Sequence, residues 1–248
     1  KFAYKDVKGR DKQWAISSML WLSKLKPLLP SFASAAAGIG HLNLFPDEDG
    51  YVRTQVHVLG YLKDIYFPSL PMEIVRLYKG LKDEDIIVNL GRGIDIKVSP
   101  SRITHIPVVD PSMRTLITWN EGPGIAFHQT PFRKIFKNEV QTSLFRDKIV
   151  IVGPTAPGIG DRFVTPISGN LPGVEVIANS VANILNERFI SRPMWVSIAE
   201  LFVLALFGIF ISFVLPRMKA SPGAFSSLAI LVGYSGLGIV LFFVSNIW

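Results

Sequence analysis

The apolar residues of this chain are concentrated at its C-terminal end. Met194 to Leu215 reads MWVSIAELFVLALFGIFISFVL, in which Glu200 is the one charged residue, and Gly223 to Ile247 is a second run without charge. At a rise of about 1.5 Å per residue, each run is long enough to cross the hydrocarbon core of a bilayer. The pattern predicts two transmembrane helices, 194–215 and 223–247, in a helical hairpin. A buried hairpin of a soluble protein is the alternative.

In the residues before this hairpin, apolar and polar positions alternate over short stretches, as they do in a globular α/β domain. Alternating or β-branched runs predict hairpins at 41–45 with 51–61 and at 103–109 with 114–119, strands at 86–90 and 94–98, and the clearest strand at Lys148–Val152. We therefore expect a mixed sheet with β-hairpins and flanking helices in residues 1–192, followed by the membrane helices in residues 193–248.

Two helices of this first domain have clear sequence signals. Ser69 to Lys79 is predicted to be helical, with Ser69 as its cap and Pro71 in its first turn. Val174 to Arg188 predicts the most regular helix of the domain, because apolar and polar residues separate onto two faces. The polar face holds Glu175, Asn179, Asn183 and Asn186.

Composition limits the possible chemistry. The chain has 26 basic and 19 acidic residues, and only Arg217, Lys219 and Glu200 lie beyond Pro193, so the first domain keeps a net charge of +6. Its basic residues are dispersed, which argues against nucleic acid as a partner. The absence of cysteine excludes disulfides and thiolate metal sites without identifying the compartment. Because the chain starts at Lys1 in a polar turn, we expect it to be a fragment of a longer one.

Charge does not decide how the hairpin is oriented. Arg217 and Lys219 lie between the two apolar runs, but Arg188 and Arg192 flank the other end of the first run. A carboxyl group inside a membrane helix costs free energy. Glu200 therefore either makes a polar contact that serves signal transfer or lies close enough to the headgroups to remain hydrated. Arg192 and Pro193 join the predicted helix directly to the membrane run. We therefore consider Arg192, Pro193 and Glu200 candidate residues for signal coupling.

The glycine-rich stretch KIVIVGPTAPGIGDRF, residues 148–163, resembles a phosphate loop but lacks the necessary residues. No Lys followed by Ser or Thr completes a Walker A pattern, and Pro166 prevents the helix that a dinucleotide fingerprint requires. The loop still presents Thr155, Asp161 and Arg162 after a predicted strand, where α/β sheets place ligands. These three are the candidate ligand-binding residues. The alternative is that Asp161 and Arg162 pair with each other and hold the loop.

Other motifs give no catalytic, metal or cofactor site. The PDEDG run at 46–50 lacks the spacing of a calcium loop and is typical of a turn. The four histidines have no metal-ligand spacing, and no GxSxG elbow occurs. We expect no catalytic residue, no metal and no cofactor in this segment.

The order of several longer stretches resembles the CHASE2 family, the second type of cyclase/histidine-kinase-associated sensing extracellular domain. The resemblance covers roughly Leu29 to Trp195 and lies in GHLNLFPDEDGYVR (40–53), PSLPMEIVRLYKG (68–80), RPMW (192–195) and, above all, the long run LFRDKIVIVGPTAPGIGDRFVTPISGNLPGVEVIANSVANIL (144–185). The resemblance provides no ligand and no binding residue.

The resemblance implies a topology that the charges leave open. Such domains face the periplasm or the extracellular space, between one N-terminal membrane helix and usually three C-terminal ones, and a cytoplasmic cyclase or kinase follows. It would place the turn at 216–222 in the cytoplasm. The first membrane helix, the early half of the sensor and the output module are not among these residues, so we expect an incomplete sheet with exposed strand edges.

Three functions remain open at this point. We expect the extracytoplasmic sensory and anchoring region of a bacterial inner-membrane receptor for an unknown small-molecule or envelope ligand, with an adenylate or guanylate cyclase as output and no enzymatic activity in this segment. A homodimer is expected by analogy with membrane receptors. The alternatives are an anchored envelope binding module without output, and a membrane enzyme that uses Asp161 and Arg162.

Overall fold

The structure, a computed structural model, describes residues 3–62, 64–120, 122, 124–156, 158–191 and 194–245. The chain divides into two compact units, Lys1–Phe189 and Ile190–Trp248. The helices and strands of the first unit are β1 (Asp6–Lys8), α1 (Gln13–Ser18), β2 (Trp21–Leu22), α2 (Pro30–Ala35), β3 (Thr54–Val56), β4 (Val58–Tyr61), β5 (Ile65–Pro68), α3 (Leu70–Tyr78), β6 (Ile86–Asn89), β7 (Gly93–Ser99), β8 (Arg102–Pro107), β9 (Arg114–Leu116), α4 (Phe132–Phe136), β10 (Arg162–Thr165), β11 (Ser168–Pro172) and α5 (Gly173–Leu185). This mixed α/β architecture confirms the predicted fold class.

The largest sheet has the strand order β1-β6-β7-β8. β1 runs parallel to β6, and β6, β7 and β8 are antiparallel neighbours, which confirms the strands predicted at 86–90 and 94–98. Gly93 begins β7 with a φ of 140°, and a Cβ there would lie 2.5 Å from the carbonyl oxygen of Ile106. Only glycine therefore fits this close approach of two strands.

The predicted hairpins are wrong in their pairing. The run 51–61 is split at His57 into β3, which pairs with β9, and β4, which pairs with β2 and β5. Residues 42–45 form no strand, and β8 pairs with β7 instead of β9. Met113 between β8 and β9 has a φ of 66°, outside the extended region that a regular ladder requires.

Helices α3 and α5 cover the core of the first unit. The predicted helix at 69–79 is confirmed, since the Ser69 hydroxyl accepts a hydrogen bond from the Met72 N–H and Gly80 follows with a φ of 64°. Apolar residues from the main sheet, α3 and α5 form one continuous cluster, which includes Val75, Val88, Ile94, Ile106, Ile177 and Val181.

The strand predicted at Lys148–Val152 is not formed. Ile149 and Ile151 pack against the core, whereas Val150 and Val152 are 52% and 80% exposed. This alternation is the pattern of a strand, but no other strand of the described residues pairs with the segment. A strand needs a neighbour for its backbone hydrogen bonds, so the segment lies extended without becoming part of a sheet.

The second unit is helical. It consists of α6 (Met194–Ile209), continued by a π-helical turn Phe210–Val214 and a 3₁₀ turn Leu215–Arg217, and of α7 (Ala220–Ser245). By length and composition, Trp195–Arg217 and Ala220–Val240 are long and apolar enough to cross a membrane. The rings of Phe207 and Tyr234 meet edge to face at 6.0 Å, so the two helices pack side by side. α7 begins before the predicted Gly223, because the first turn of a helix tolerates Pro222.

Candidate functional site

Helix α5 has polar side chains buried along its length. Val176, Ile177, Val181 and Ile184 enter the core, but Glu175, Asn179 and Asn183 are also only 2–6% exposed. The sequence separates two faces correctly, yet these three residues of the polar face do not meet solvent, and Asn186, which does, lies just beyond the end of the helix. A buried polar side chain is stable only when it is hydrogen-bonded, so the partners of this face define what the helix holds.

Glu175 fixes a loop to the first turn of α5. Its carboxylate accepts a hydrogen bond from the Gly124 N–H and another from the Gln129 amide, both at 2.9 Å. A carboxylate in the first turn is also favoured by the positive end of the helix dipole. The segment after β9 is thereby attached to α5 by a charged group.

Asn179 repeats this arrangement one turn further along. Its side-chain oxygen accepts hydrogen bonds from the Asn120 N–H and the Asn120 amide, both at 3.0 Å. Its amide nitrogen donates to the carbonyl oxygen of Glu175 at 2.9 Å. Two successive turns of α5 therefore hold the same loop.

The chain just beyond α5 is anchored to the edge of the main sheet. One carboxylate oxygen of Glu187 accepts hydrogen bonds from the Arg102 guanidinium at 2.6 Å and from the Thr104 hydroxyl at 2.9 Å. The Thr104 hydrogen bond, followed by that of Arg102, holds the pKa of Glu187 below its usual value. These contacts fix the C-terminal end of α5 while the carboxylate is ionised.

A second buried polar group lies where β3, β4 and α3 meet. His57 is 2% exposed, and its Nδ1 lies 2.9 Å from the Ser69 hydroxyl. Burial lowers the pKa of His57 to about 3. Since Ser69 is fully buried and caps α3, the pair is a structural contact and not a nucleophile with its base.

His41 belongs to the same group. Its backbone N–H donates to the Pro68 carbonyl, and its carbonyl accepts from the Leu70 N–H, which places the ring beside α3. Both ring nitrogens are shut off from solvent and have no hydrogen-bond partner among the described residues. Burial, followed by the neighbouring His57, lowers the pKa of His41 to about 3.

A narrow space connects this group to α5. Its lining is half polar and half apolar: Gln55, His57, Thr115, Ser180 and Asn183 with Leu116, Ile117, Ile184 and Phe189. The side-chain oxygen of Gln55 is buried without a partner in the part of the chain that the structure describes. His57 and the second half of α5 thus line one space inside the first unit.

The predicted ligand loop is held by Arg162. Its guanidinium donates to the carbonyl oxygen of Asn170 at 2.7 Å and to that of Thr155. The carbonyl oxygen of Asp161 accepts from the Gly173 N–H at 3.0 Å, which ties the loop to the start of α5. Arg162 therefore does hold the loop, but through carbonyl groups and not through Asp161. A ligand-binding role for Thr155, Asp161 and Arg162 stays a prediction.

The three predicted coupling residues are only partly described. Arg192 and Pro193 lie outside the described residues, and Glu200 is half-buried in α6. Sequence reasoning identified Ser69 as a helix cap but missed His57, which alternates with Val56 and Val58 on the side of the run that also carries Arg53 and Gln55. A polar residue that alternates with valines is typical of a solvent-facing strand position, so the pattern gave no signal of a buried ring.

Comparison with known proteins gives one match. The CHASE2 domain model matches residues 6–214, which is most of the chain and includes the first apolar helix. No curated protein and no solved structure matches significantly. The chain belongs to the CHASE2 family, the extracytoplasmic sensor domains of signalling proteins.

Proposed function

We propose that these residues are the sensory and membrane-anchoring region of a receptor in the bacterial inner membrane, with the sensor in the periplasm. The observation that carries the proposal is the way in which α5 is packed. The helix is buried on both faces, holds the loop at 120–129 and the main sheet, and is followed after few residues by the apolar helix α6. A change in the packing of the domain therefore acts on the element nearest in sequence to the membrane run.

The output that we propose is a cytoplasmic adenylate or guanylate cyclase, and the receptor acts as a homodimer. The apolar spans Trp195–Arg217 and Ala220–Val240 support the anchoring. A sensor domain is not catalytic, so no enzymatic activity is expected of this segment. The proposed stimulus is a small molecule or envelope component bound at Thr155, Asp161 and Arg162.

Orientation is tested by labelling single cysteines in whole cells. The chain has no cysteine of its own, so Phe32→Cys and Lys219→Cys each create one labelling site. Phe32 is 66% exposed on α2, and Lys219 lies between the two apolar helices. A membrane-impermeant maleimide should label Phe32→Cys in intact cells and Lys219→Cys only after permeabilisation. The reverse pattern would overturn the periplasmic placement.

Coupling is tested by a cysteine crosslinking scan along Trp195–Arg217. The scan compares the wild-type chain with a Glu175→Gln variant, which weakens the attachment of the loop at 120–129 without needing a ligand. We expect the positions of strongest crosslinking to change, as they would if Arg192, Pro193 and Glu200 transmit a shift of α5. Identical patterns in both proteins would leave an anchored binding module without signalling output as the better function.

A further inference from the structure

The surface around α4 combines exposed phenylalanines with unpaired cations. Phe132 and Phe136 are 67% and 80% exposed, and they lie four residues apart on one side of the helix. Arg133, Lys134 and Lys137 each follow a phenylalanine by one or two positions, so at about 100° per residue they lie beside and opposite the phenylalanines around the helix axis. We call this set of five residues the α4 surface.

The second feature of the α4 surface is the positive charge of its three cations. None of Arg133, Lys134 and Lys137 forms an ion pair with a carboxylate in the part of the chain that the structure describes. The exposed segment that follows adds two basic residues, Arg146 and Lys148, and two acidic ones, Glu139 and Asp147, so residues 132–148 carry five positive and two negative charges, a net of +3. The local excess of positive charge is therefore available to an outside partner.

Beside the α4 surface lies an open cavity of about 530 Å³. Lys134 and Lys148 line it together with Thr130 and Ser143, and the two lysines outnumber the one acidic residue of the lining, Glu139. Ammonium and hydroxyl groups are donors that bind a phosphate oxygen. The cavity therefore suits a phosphate group next to the apolar side of α4.

We propose that the α4 surface docks onto the headgroup region of a bilayer that contains anionic phospholipid. Exposed phenylalanines next to lysine and arginine are the features of helices that lie in the membrane interface. Each basic side chain near such a surface favours docking by about fivefold, so three together favour it roughly 100-fold. The proposal rests on the membrane anchoring proposed above, because a tether holds the first unit at high local concentration near the bilayer.

The test places a nitroxide spin label on Phe136→Cys in the full chain, reconstituted in lipid nanodiscs. One set of discs contains phosphatidylcholine alone and the other adds phosphatidylglycerol. Collision rates with oxygen and with a water-soluble nickel chelate then report whether the label contacts lipid or water. The matched control is Phe32→Cys, a phenylalanine that is 66% exposed on a short helix without charged residues.

In anionic discs we expect the label at 136 to be accessible to oxygen and protected from nickel, and the label at 32 to stay in water. Replacing Arg133, Lys134 and Lys137 by Gln should return the label at 136 to water. A label at 136 that stays in water while the chain remains in the disc overturns docking and leaves the anchoring intact. A chain that leaves the disc overturns the anchoring and, with it, this inference. Protection from both reagents in both lipids indicates a protein contact, such as a second copy, and overturns docking onto lipid.

Discussion

Two histidines whose ring nitrogens are buried should make this domain lose stability in mild acid. His57 is enclosed beside Ser69, and the ring nitrogens of His41 have no access to solvent and no partner among the described residues. Burial lowers the pKa of each ring to about 3, compared with 6.5 for a solvated histidine. Both rings are therefore neutral in the folded protein and take up protons in the unfolded chain as the pH falls below 6.5.

The direction and the size of this pH dependence follow from proton linkage. The stability that the two neutral rings allow is fully present above pH 6.5. It decreases as the pH falls from 6.5 towards 3, because only the unfolded state binds protons in that window. Each histidine lowers the free energy of unfolding by up to about 1.4 kcal/mol per pH unit. Between pH 7 and pH 5 the two together remove about 4 kcal/mol, which is a large part of the stability of a typical domain.

The assay is urea unfolding of the full chain in detergent, followed by tryptophan fluorescence between pH 7 and pH 5. His57→Asn keeps a polar atom near the position of Nδ1 and can still bond Ser69, but it does not titrate. We expect it to halve the pH dependence, and a double variant with His41→Gln to remove most of it. Carboxylates such as Glu187, whose pKa lies below the usual value, lose their contribution at lower pH and do not obscure this window.

The matched control is His128→Gln, since His128 lies exposed at the surface of the first unit. Its pH dependence should equal that of the wild-type chain. If the double variant retains the wild-type slope between pH 7 and pH 5, the histidines are not the source of the acid sensitivity. If the wild-type chain itself has no slope there, the rings titrate in the folded state and the burial argument is wrong.

Three further predictions concern the contacts of α5 and its neighbours. Glu175→Ala should lower the free energy of unfolding by about 1–2 kcal/mol and speed hydrogen exchange at residues 120–129, because Gly124 and Gln129 lose a charged acceptor; slow exchange there would contradict the assigned anchor. Gly40→Ala should destabilise by about 1–3 kcal/mol, since its Cβ would lie 2.5 Å from the backbone of Leu70, whereas Gly169→Ala meets nothing within 4 Å and should leave the melting temperature unchanged. Arg162→Met should speed proteolysis between residues 155 and 161 with little change in melting temperature, because only the two carbonyl contacts of its guanidinium are lost; unchanged cleavage would remove Arg162 as the residue that holds the loop.

The sequence predicts the helices of this protein better than its strand pairing. Helix α3 has its cap, first-turn proline and terminal glycine within a dozen residues, so local signals suffice. The pairing of β3 with β9 joins residues about 60 positions apart, and β4 pairs with β5 because of a turn that carries no strong sequence signal. Local patterns predict that a strand exists but not which neighbour it takes.

The candidate site shows a similar limit. The polar face of α5 is visible in the sequence, but an amphipathic helix normally turns such a face to solvent. Whether Glu175 and Asn179 meet water or a loop depends on the course of the chain between Asn120 and Gln129, where the described residues form no helix or strand. For the same reason the sequence suggested that Arg162 pairs with Asp161, although its guanidinium donates to the carbonyl groups of Thr155 in the loop and Asn170 in β11.

The buried polar groups are best explained by what they connect. An apolar α5 would pack against the sheet more favourably than one with Asn179, Ser180 and Asn183, because each buried amide or hydroxyl costs free energy that its hydrogen bonds only offset. His57 lines the same narrow space as Ser180 and Asn183, so its neutral ring lies against the polar side of α5. Polar groups in a space of low dielectric interact more strongly with one another than they do in water. The polar interior therefore links the strand region around His57 to the helix that precedes the membrane run, which an apolar interior of the same shape would not do.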